Sequence, residues 1–273
     1  MVGEEPRVRA ARAVEAQCRA LVDAAGPACV AVKPQLACFE RLGAAGWAVL
    51  ERTCVHARAA GLLVLADAKR GDIGISAAAY GQAFFGSTPT PWGDVPGLGV
   101  DALTASPLLG ADSLGPLLAA ARAVSGGLFV LVRTSNPGAR DVQELALSGG
   151  GDVAERLAIL VAAHGEAGPA GIADVGAVVG ATVPERLARL RDLAPAAPFL
   201  LPGIGAQGGR VEDLAPAWAP GPAGGLVTAS RAIARAHEEH GGEPRDAARR
   251  AAEDLRVRAW ELALSGGGAR RAG

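Results

Sequence analysis

The 273-residue chain carries 27 Lys and Arg residues against 28 Asp and Glu residues, a net charge of −1 that argues against a nucleic-acid-binding surface. Hydrophobic residues make up 50% of the chain, but no uninterrupted apolar stretch reaches the ~18 residues that a membrane-spanning helix needs. The N-terminal residues lack the apolar core of a secretion signal, so we expect a cytoplasmic protein without membrane or nucleic-acid partners.

Seven short apolar segments predict β-strands, and longer segments with helical periodicity separate them. The strand segments are apolar on both faces, which is typical of a parallel sheet covered by helices. Together with the chain length, this alternation predicts an α/β fold, a single (β/α)8 TIM barrel spanning residues 1–273 in which one of the eight strands is missing. The predicted strands are 28–33, 62–67, 101–106, 128–133, 176–182, 199–204 and 225–230.

The segments between the strands predict helices, and Pro/Gly-rich stretches predict loops. Pro184 suits the first turn of its helix, with Thr182 as a candidate N-cap. Residues 86–99 and 202–223 are expected to form mobile loops, and residues 265–273 a disordered tail. The predicted helices are 9–25, 40–60, 112–125, 152–164, 184–193 and 243–263.

Charged residues follow the first two predicted strands at the points where their apolar runs stop. Lys33 ends one run, and Asp67, Lys69 and Asp72 end the next. The carboxyl ends of parallel barrel strands open on one face, where active sites are built. A lysine held between carboxylates is suited to act as a general acid, although a salt-bridged strand end would show the same pattern.

A second polar group follows the last two predicted strands. The segment "PGIGAQGG" (202–209) contains Gln207, and Arg231 follows the final strand. Backbone amides of a Gly-rich turn together with an arginine fork are suited to bind phosphate, whereas the turn alone could be only a turn. The four cysteines lack the spacing of a zinc site, so we do not expect them to bind zinc.

Seven motifs in order resemble the orotidine 5'-phosphate decarboxylase family, specifically its longer bacterial subgroup (type 2). The D-x-K-x-x-D element alone is shared with related sugar-phosphate lyases, but the ordered set is specific. The motifs are "VKPQLACFE" (32–40), "DAKRGDIG" (67–74), "DALTASPLLG" (101–110), "LFVLVRTSNPGA" (128–139), "GAVVGAT" (176–182), "PGIGAQGG" (202–209) and "ASRAI" (229–233).

The resemblance implies a homodimeric barrel that converts orotidine 5'-phosphate to uridine 5'-phosphate in pyrimidine biosynthesis, without a metal or an organic cofactor. It implies that Lys69 protonates C6 of the pyrimidine and that Asp72 reaches into the site of the partner subunit. The site residues that the resemblance implies are Lys33, Asp67, Lys69 and Asp72 for catalysis, Ser76 for the ribose, Ser135 and Pro184 for the base, and Gln207 and Arg231 for the phosphate.

Two departures from the family pattern stand out. Ser76 replaces a threonine, which retains the hydroxyl group. The larger departure is that the family's first strand and its ribose-binding aspartate have no match before Lys33. Either the start codon has been placed too far downstream, or the loss is real and decarboxylation is impaired.

Two other functions remain open at this stage. One is a related sugar-phosphate synthase or decarboxylase of the same superfamily, which would use a divalent metal. The other is a catalytically impaired homologue that only binds nucleotide.

Overall fold

The computed structural model describes residues 5–205 and 207–266, and it contains a curled sheet of seven parallel strands. All seven predicted strands are confirmed, and the sheet order is β1-β2-β5-β6-β7-β8-β9. The remaining two strands form a short antiparallel pair inside the predicted loop 86–99. The strands are β1 (Ala31–Val32), β2 (Leu63–Arg70), β3 (Ser87–Thr88), β4 (Val95–Pro96), β5 (Ala102–Ala105), β6 (Gly127–Arg133), β7 (Val175–Val179), β8 (Phe199–Leu201) and β9 (Gly225–Val227).

Helices connect the strands, and the six predicted helices are all present. Helix α4 was not predicted, because its Ala- and Gly-rich sequence has no periodic apolar stripe. The helices are α1 (Pro6–Ala25), α2 (Ala37–Glu40), α3 (Gly43–Ala59), α4 (Gly74–Phe84), α5 (Gly115–Arg122), α6 (Val153–His164), α7 (Pro184–Leu193), α8 (Arg231–Ala234), α9 (Ala236–His240) and α10 (Pro244–Gly266).

The predicted N-cap of α7 is wrong. Pro184 is the first helical residue as expected, but Val183 occupies the N-cap position and no side chain caps the helix. The hydroxyl group of Thr182 instead donates to the carbonyl oxygen of Ser135 at 3.2 Å. Thr182 therefore joins two strand ends, because its side chain turns toward the neighbouring strand connection rather than toward the helix.

Two predicted loop or tail segments are more ordered than expected. Residues Val211–Trp218 of the predicted loop 202–223 form a 3-10 helix whose Val211, Leu214 and Trp218 side chains are buried. These apolar side chains pack in the core, whereas residues 202–205 and 207–210 lie outside helices and strands. Residues 265 and 266 belong to α10, and residues 267–273 lie outside the described part of the chain.

The apolar core is divided by the sheet. A large cluster lies between the strands and the helices, whereas a small cluster of Leu65, Phe129, Val178 and Leu200 fills the concave face. Side chains of a strand alternate between its faces, so Asp67 lies on the same face as Leu65, toward the interior of the curled sheet.

The helical layer continues where the sheet stops. Within the described residues, no pairing joins β1 to β9, so the sheet is open between these strands. Helix α1 packs against both α3 and α10 and thereby covers the outside of the opening. None of the helices within residues 5–205 and 207–266 has the length and apolar character needed to cross a membrane.

Candidate active site

The carboxyl ends of β1 and β2 bring Lys33, Asp67 and Lys69 together. The two strands run parallel with Ala31 opposite Leu63, and backbone bonds continue beyond the strand proper. The Asp67 N–H donates to the Pro34 carbonyl oxygen at 2.9 Å, which fixes the Lys33 segment beside the end of β2. The predicted meeting of these charged side chains at one strand edge is therefore present in the structure.

The carboxylate of Asp67 is shared by two ammonium groups. Lys33 Nζ binds Oδ2, and Lys69 Nζ binds Oδ1. The hydroxyl group of Thr104, on the adjacent strand β5, also donates to Oδ1 at 3.2 Å. Asp67 is buried, whereas the Lys69 side chain is 45% exposed. The cluster thus has a fixed inner carboxylate and one outer ammonium group that solvent or a ligand can reach.

Two opposing influences act on the Asp67 carboxyl group. Burial raises the pKa of Asp67, but the positive charges and hydrogen bonds of Lys33 and Lys69 outweigh burial, so the pKa lies below its ordinary value. Asp67 is therefore ionised at neutral pH, and the cluster of one carboxylate and two ammonium groups carries a net charge of +1.

Lys69 occupies a strained backbone conformation. Its φ is +51°, and outside glycine only Ser125 shares a positive φ among the described residues. The strain arises at a β-bulge, since Ala66 pairs with Leu103 and Arg70 pairs with Ala105. Such a conformation costs of order 1–3 kcal/mol and is typically stabilised by surrounding contacts. One such contact is the bond from the Lys69 N–H to Thr104 Oγ1 at 2.9 Å.

Asp72 and Ser76, the other predicted residues of this motif, lie apart from the cluster. Asp72 Oδ1 accepts from the Ile73 N–H at 2.8 Å, and in the described part of the chain nothing joins it to Lys33, Asp67 or Lys69. Ser76 is exposed near the start of α4. The single chain therefore assembles three of the four predicted charged residues.

Ser135 and Gln207 meet at the ends of β6 and β8. A Cβ atom at Gly203 would lie 3.0 Å from Gln207 Oε1 and 3.3 Å from both Ser135 Cβ and Thr182 Cγ2. A Cβ atom at Gly180 would lie only 2.7 Å from Ser135 Cα. Glycine at these positions thus permits the ends of β6, β7 and β8 to approach closely. Pro184, the residue predicted to contact the base, lies two residues after Thr182.

The Gly-rich turn closes on itself, which changes how it could bind an anion. The N–H groups of Gly205, Gly208 and Gly209 donate to carbonyl oxygens within the turn, at 2.7–3.1 Å. These amides are not available to a ligand, so the side chains of Gln207 and Arg231 are the better candidates. Arg231 is exposed at the start of α8, and a Cβ atom at Gly205 would lie 3.3 Å from its neighbour Ala232.

Sequence reasoning missed three residues beside the charged cluster: Thr104, Arg70 and Glu40. Thr104 is the one polar residue of strand β5, and a polar residue in an otherwise apolar strand could have indicated a role at the site. Arg70 pairs with Glu40 across 30 residues, a contact that no local pattern indicates. Across residues 5–205 and 207–266, no group of three or more His, Cys, Asp or Glu side chains is arranged to hold a metal ion.

A parallel α/β sheet with convergent charged side chains at its carboxyl edge is typical of α/β enzymes, whose active sites form at that edge. The family model for the "Orotidine 5'-phosphate decarboxylase / HUMPS family" matches residues 12–251. The chain therefore belongs to the orotidine 5'-phosphate decarboxylase / HUMPS family, and the resemblance predicted from the ordered motifs is confirmed.

Individual relatives agree with this assignment. The chain is 46% identical over 254 residues to an orotidine 5'-phosphate decarboxylase of Deinococcus radiodurans, an alignment covering 90% of this chain and 88% of the relative. It is 42% identical over 243 residues to that of Rhodopirellula baltica, covering 87% and 78% of the two chains. The structure of Leishmania donovani OMP decarboxylase superposes with a TM-score of 0.70 at 34% identity, covering 92% and 89%.

Proposed function

We propose that this protein is a carboxy-lyase that decarboxylates orotidine 5'-phosphate to uridine 5'-phosphate in pyrimidine biosynthesis. The observation that carries the proposal is the Asp67 carboxylate bound on both oxygens by Lys33 and Lys69 at the carboxyl edge of the sheet. Family membership and relatives with this activity at 46% and 42% identity support it.

The proposed chemistry begins with a substrate carboxylate placed beside Asp67. The two negative charges repel each other, and the repulsion is relieved when the bond from C6 to the carboxylate breaks and CO2 leaves. The electron pair of that bond stays on C6, and the Lys69 ammonium group supplies the proton for the new C6–H bond. Lys69 then regains a proton from water. Lys33 keeps Asp67 in place, so little reorganisation is needed as charge develops.

The substrate-binding roles are proposals that rest on placement. Ser135 and Pro184 would contact the pyrimidine, and Gln207 and Arg231 would bind the phosphate by charge-assisted hydrogen bonds. Phosphate binding is remote from C6, but its energy could close the segments 86–99 and 202–210 over the substrate. No metal or organic cofactor takes part in the proposed reaction.

We also propose that the enzyme is a homodimer in which Asp72 serves the site of the partner subunit, and that Ser76 contacts the ribose. Asp72 makes no contact with the charged cluster of its own chain within the described residues. Exposed apolar side chains follow it in the chain, Ile73 and Ile75, the latter 90% exposed, and Leu108 and Leu109 are exposed in the connection after β5. Gly71 lies against Ser106, so the two strand connections that carry these side chains are adjacent, and we propose that a partner subunit covers them.

For the fold, we propose a (β/α)8 barrel with one strand position open between β1 and β9. The curled order of the seven strands and the continuous helical layer support this architecture. We further propose a cytoplasmic location, because all four cysteines are free thiols, which suits a reducing compartment.

The decisive experiment follows the loss of orotidine 5'-phosphate absorbance with purified protein in the presence of a chelator. We expect turnover that the chelator does not change and that Lys69→Ala abolishes, whereas Arg52→Ala on the outer helices leaves it intact. Turnover that requires a divalent metal would favour a related sugar-phosphate lyase. Binding of uridine 5'-phosphate without turnover would favour the catalytically impaired homologue.

A further inference from the structure

Arg70 connects the strained segment around Lys69 to two other elements. Its Nη1 donates back to the Ala68 carbonyl oxygen at 2.8 Å, and its Nη2 binds Glu40 Oε1. Glu40 is the last residue of α2, in the segment that follows Lys33. The guanidinium group of Arg70 thus bonds to the backbone on the other side of the bulge and also to Glu40. It thereby links the bulge to the segment that follows Lys33.

The guanidinium group of Arg70 is also held by α4. Its Cζ atom lies 5.6 Å from the centre of the Tyr80 ring and 5.9 Å from that of Phe84, within the range of cation–π contacts. On the backbone side, the Ser106 N–H donates to the Arg70 carbonyl oxygen at 2.7 Å. Arg70 therefore contacts α2, α4 and the end of β5 at once, but it does not contact the Asp67 carboxylate.

We propose that Arg70 and Glu40 form a positioning pair that holds the backbone of Lys69 in its left-handed conformation, so that the ammonium group stays at Asp67. The inference rests on the proposed role of Lys69 as proton donor. Without the pair, the bulge can relax toward ordinary strand geometry, which turns the Lys69 side chain away from Asp67. Arg70 acts through Lys69 and is not itself a catalytic residue.

The sequence supplies a readout that does not depend on turnover. Lys33 and Lys69 are the only lysines in the chain, so protein labelled with ¹⁵N-lysine gives two backbone amide signals, both from the site. The Lys69 N–H is bonded to Thr104 Oγ1, and its hydrogen-exchange rate therefore reports how often the bulge opens. The Lys33 amide serves as a reference in the same spectrum.

The test compares Glu40→Ala with Glu15→Ala. Glu15 likewise pairs with an arginine, Arg52, but on the outer helices α1 and α3, so its loss controls for a missing ion pair. We expect Glu40→Ala to speed Lys69 amide exchange and to lower kcat, each about tenfold, with KM and melting temperature close to those of Glu15→Ala. Arg70→Met should change the Lys69 exchange rate and kcat in the same directions but more strongly. The values for Arg70→Lys should fall between those of the parent and of Arg70→Met.

Two results would overturn the proposal. One is a Lys69 exchange rate in Glu40→Ala within twofold of that in Glu15→Ala. The other is a loss of kcat that is matched by falls in melting temperature and substrate affinity, with no change in Lys69 exchange. If Arg70→Met does not fold, the comparison of Glu40→Ala with Glu15→Ala is sufficient to test the proposal. Inactive parent protein would count against the proposed function, whereas the exchange rates would still decide on the positioning pair.

Discussion

Thr104 donates its hydroxyl hydrogen to Oδ1 of Asp67 across 3.2 Å, from the strand beside it. The same oxygen of Thr104 accepts the backbone N–H of Lys69 at 2.9 Å. One buried hydroxyl group thereby links the side chain of the shared carboxylate to the strained backbone of the lysine. Both contacts depend on the neighbouring positions of β2 and β5 in the sheet.

Replacing Thr104 by valine should therefore weaken catalysis with little change in shape. Thr104→Val preserves the volume but removes both hydrogen bonds, and we expect kcat to fall about tenfold, equivalent to ~1.4 kcal/mol. Thr104→Ser keeps the hydroxyl group and should stay within about threefold of the parent. Steady-state kinetics of the two variants test this, and equal activities would show that the hydroxyl group is not needed.

The depressed pKa of Asp67 predicts a pH-dependent contribution to stability. Because the folded-state pKa lies below the unfolded value of about 3.9, the ionised carboxylate stabilises the fold above that pH. This contribution is lost as the pH falls through the folded-state pKa. At pH 7 we expect Asp67→Asn to lower the free energy of unfolding by about 2–4 kcal/mol, because two ammonium groups lose their carboxylate.

Urea unfolding at several pH values measures the effect of Asp67→Asn. The difference from the parent should be full above pH ~5 and should shrink below pH ~3.9, where the carboxyl group of the unfolded parent takes up a proton while that of the folded parent stays ionised. Asp254→Asn, which alters an exposed carboxylate on α10, is the control and should change little at any pH. A difference that is constant down to pH ~3 would contradict the assignment of the lowered pKa to Asp67.

The proposed contribution of Asp72 across the dimer predicts complementation between two inactive variants. In a heterodimer of Lys69→Ala and Asp72→Ala chains, one site has both residues intact and the other has neither. When the two chains associate at random, about half of the dimers are heterodimers, and one of the two sites in each heterodimer is intact. The mixture should therefore show about a quarter of the parent activity. Coexpression of differently tagged chains provides the heterodimer, and an absence of recovered activity in it would place Asp72 in the site of its own chain.

The close approach of Gly180 to Ser135 predicts a selective effect on substrate binding. A Cβ atom at position 180 would lie 2.7 Å from Ser135 Cα, so Gly180→Ala must push Ser135 away. We expect KM to rise about tenfold, with a smaller effect on kcat. Gly149→Ala is the matched control, since a Cβ atom there meets nothing within 4 Å. Equal KM values for the two variants would argue against a substrate contact by Ser135.

Much of the fold was predictable because its signals are local. Apolar runs of strand length and Ala/Leu/Arg segments of helical period predicted all seven strands of the parallel sheet and six helices. The failures arose where contacts between distant parts of the chain overrode a local signal. Thr182 offers a hydroxyl group at a typical N-cap position, but that group bonds to the Ser135 carbonyl oxygen instead. Buried contacts of Leu214 and Trp218, made with distant parts of the chain, gave structure to a segment that reads as a loop.

The sequence by itself determined the family, the strand ends and the residue types that gather there, because motif order and hydrophobic periodicity are properties of the chain. Only the tertiary structure decided that Lys33 and Lys69 share the Asp67 carboxylate, that Lys69 adopts a positive φ, and that Arg70 reaches Glu40. These relationships depend on strand register, on a bulge and on contacts between residues some 30 positions apart. A linear pattern carries no information about them, since they arise only when neighbouring strands fix one another in space.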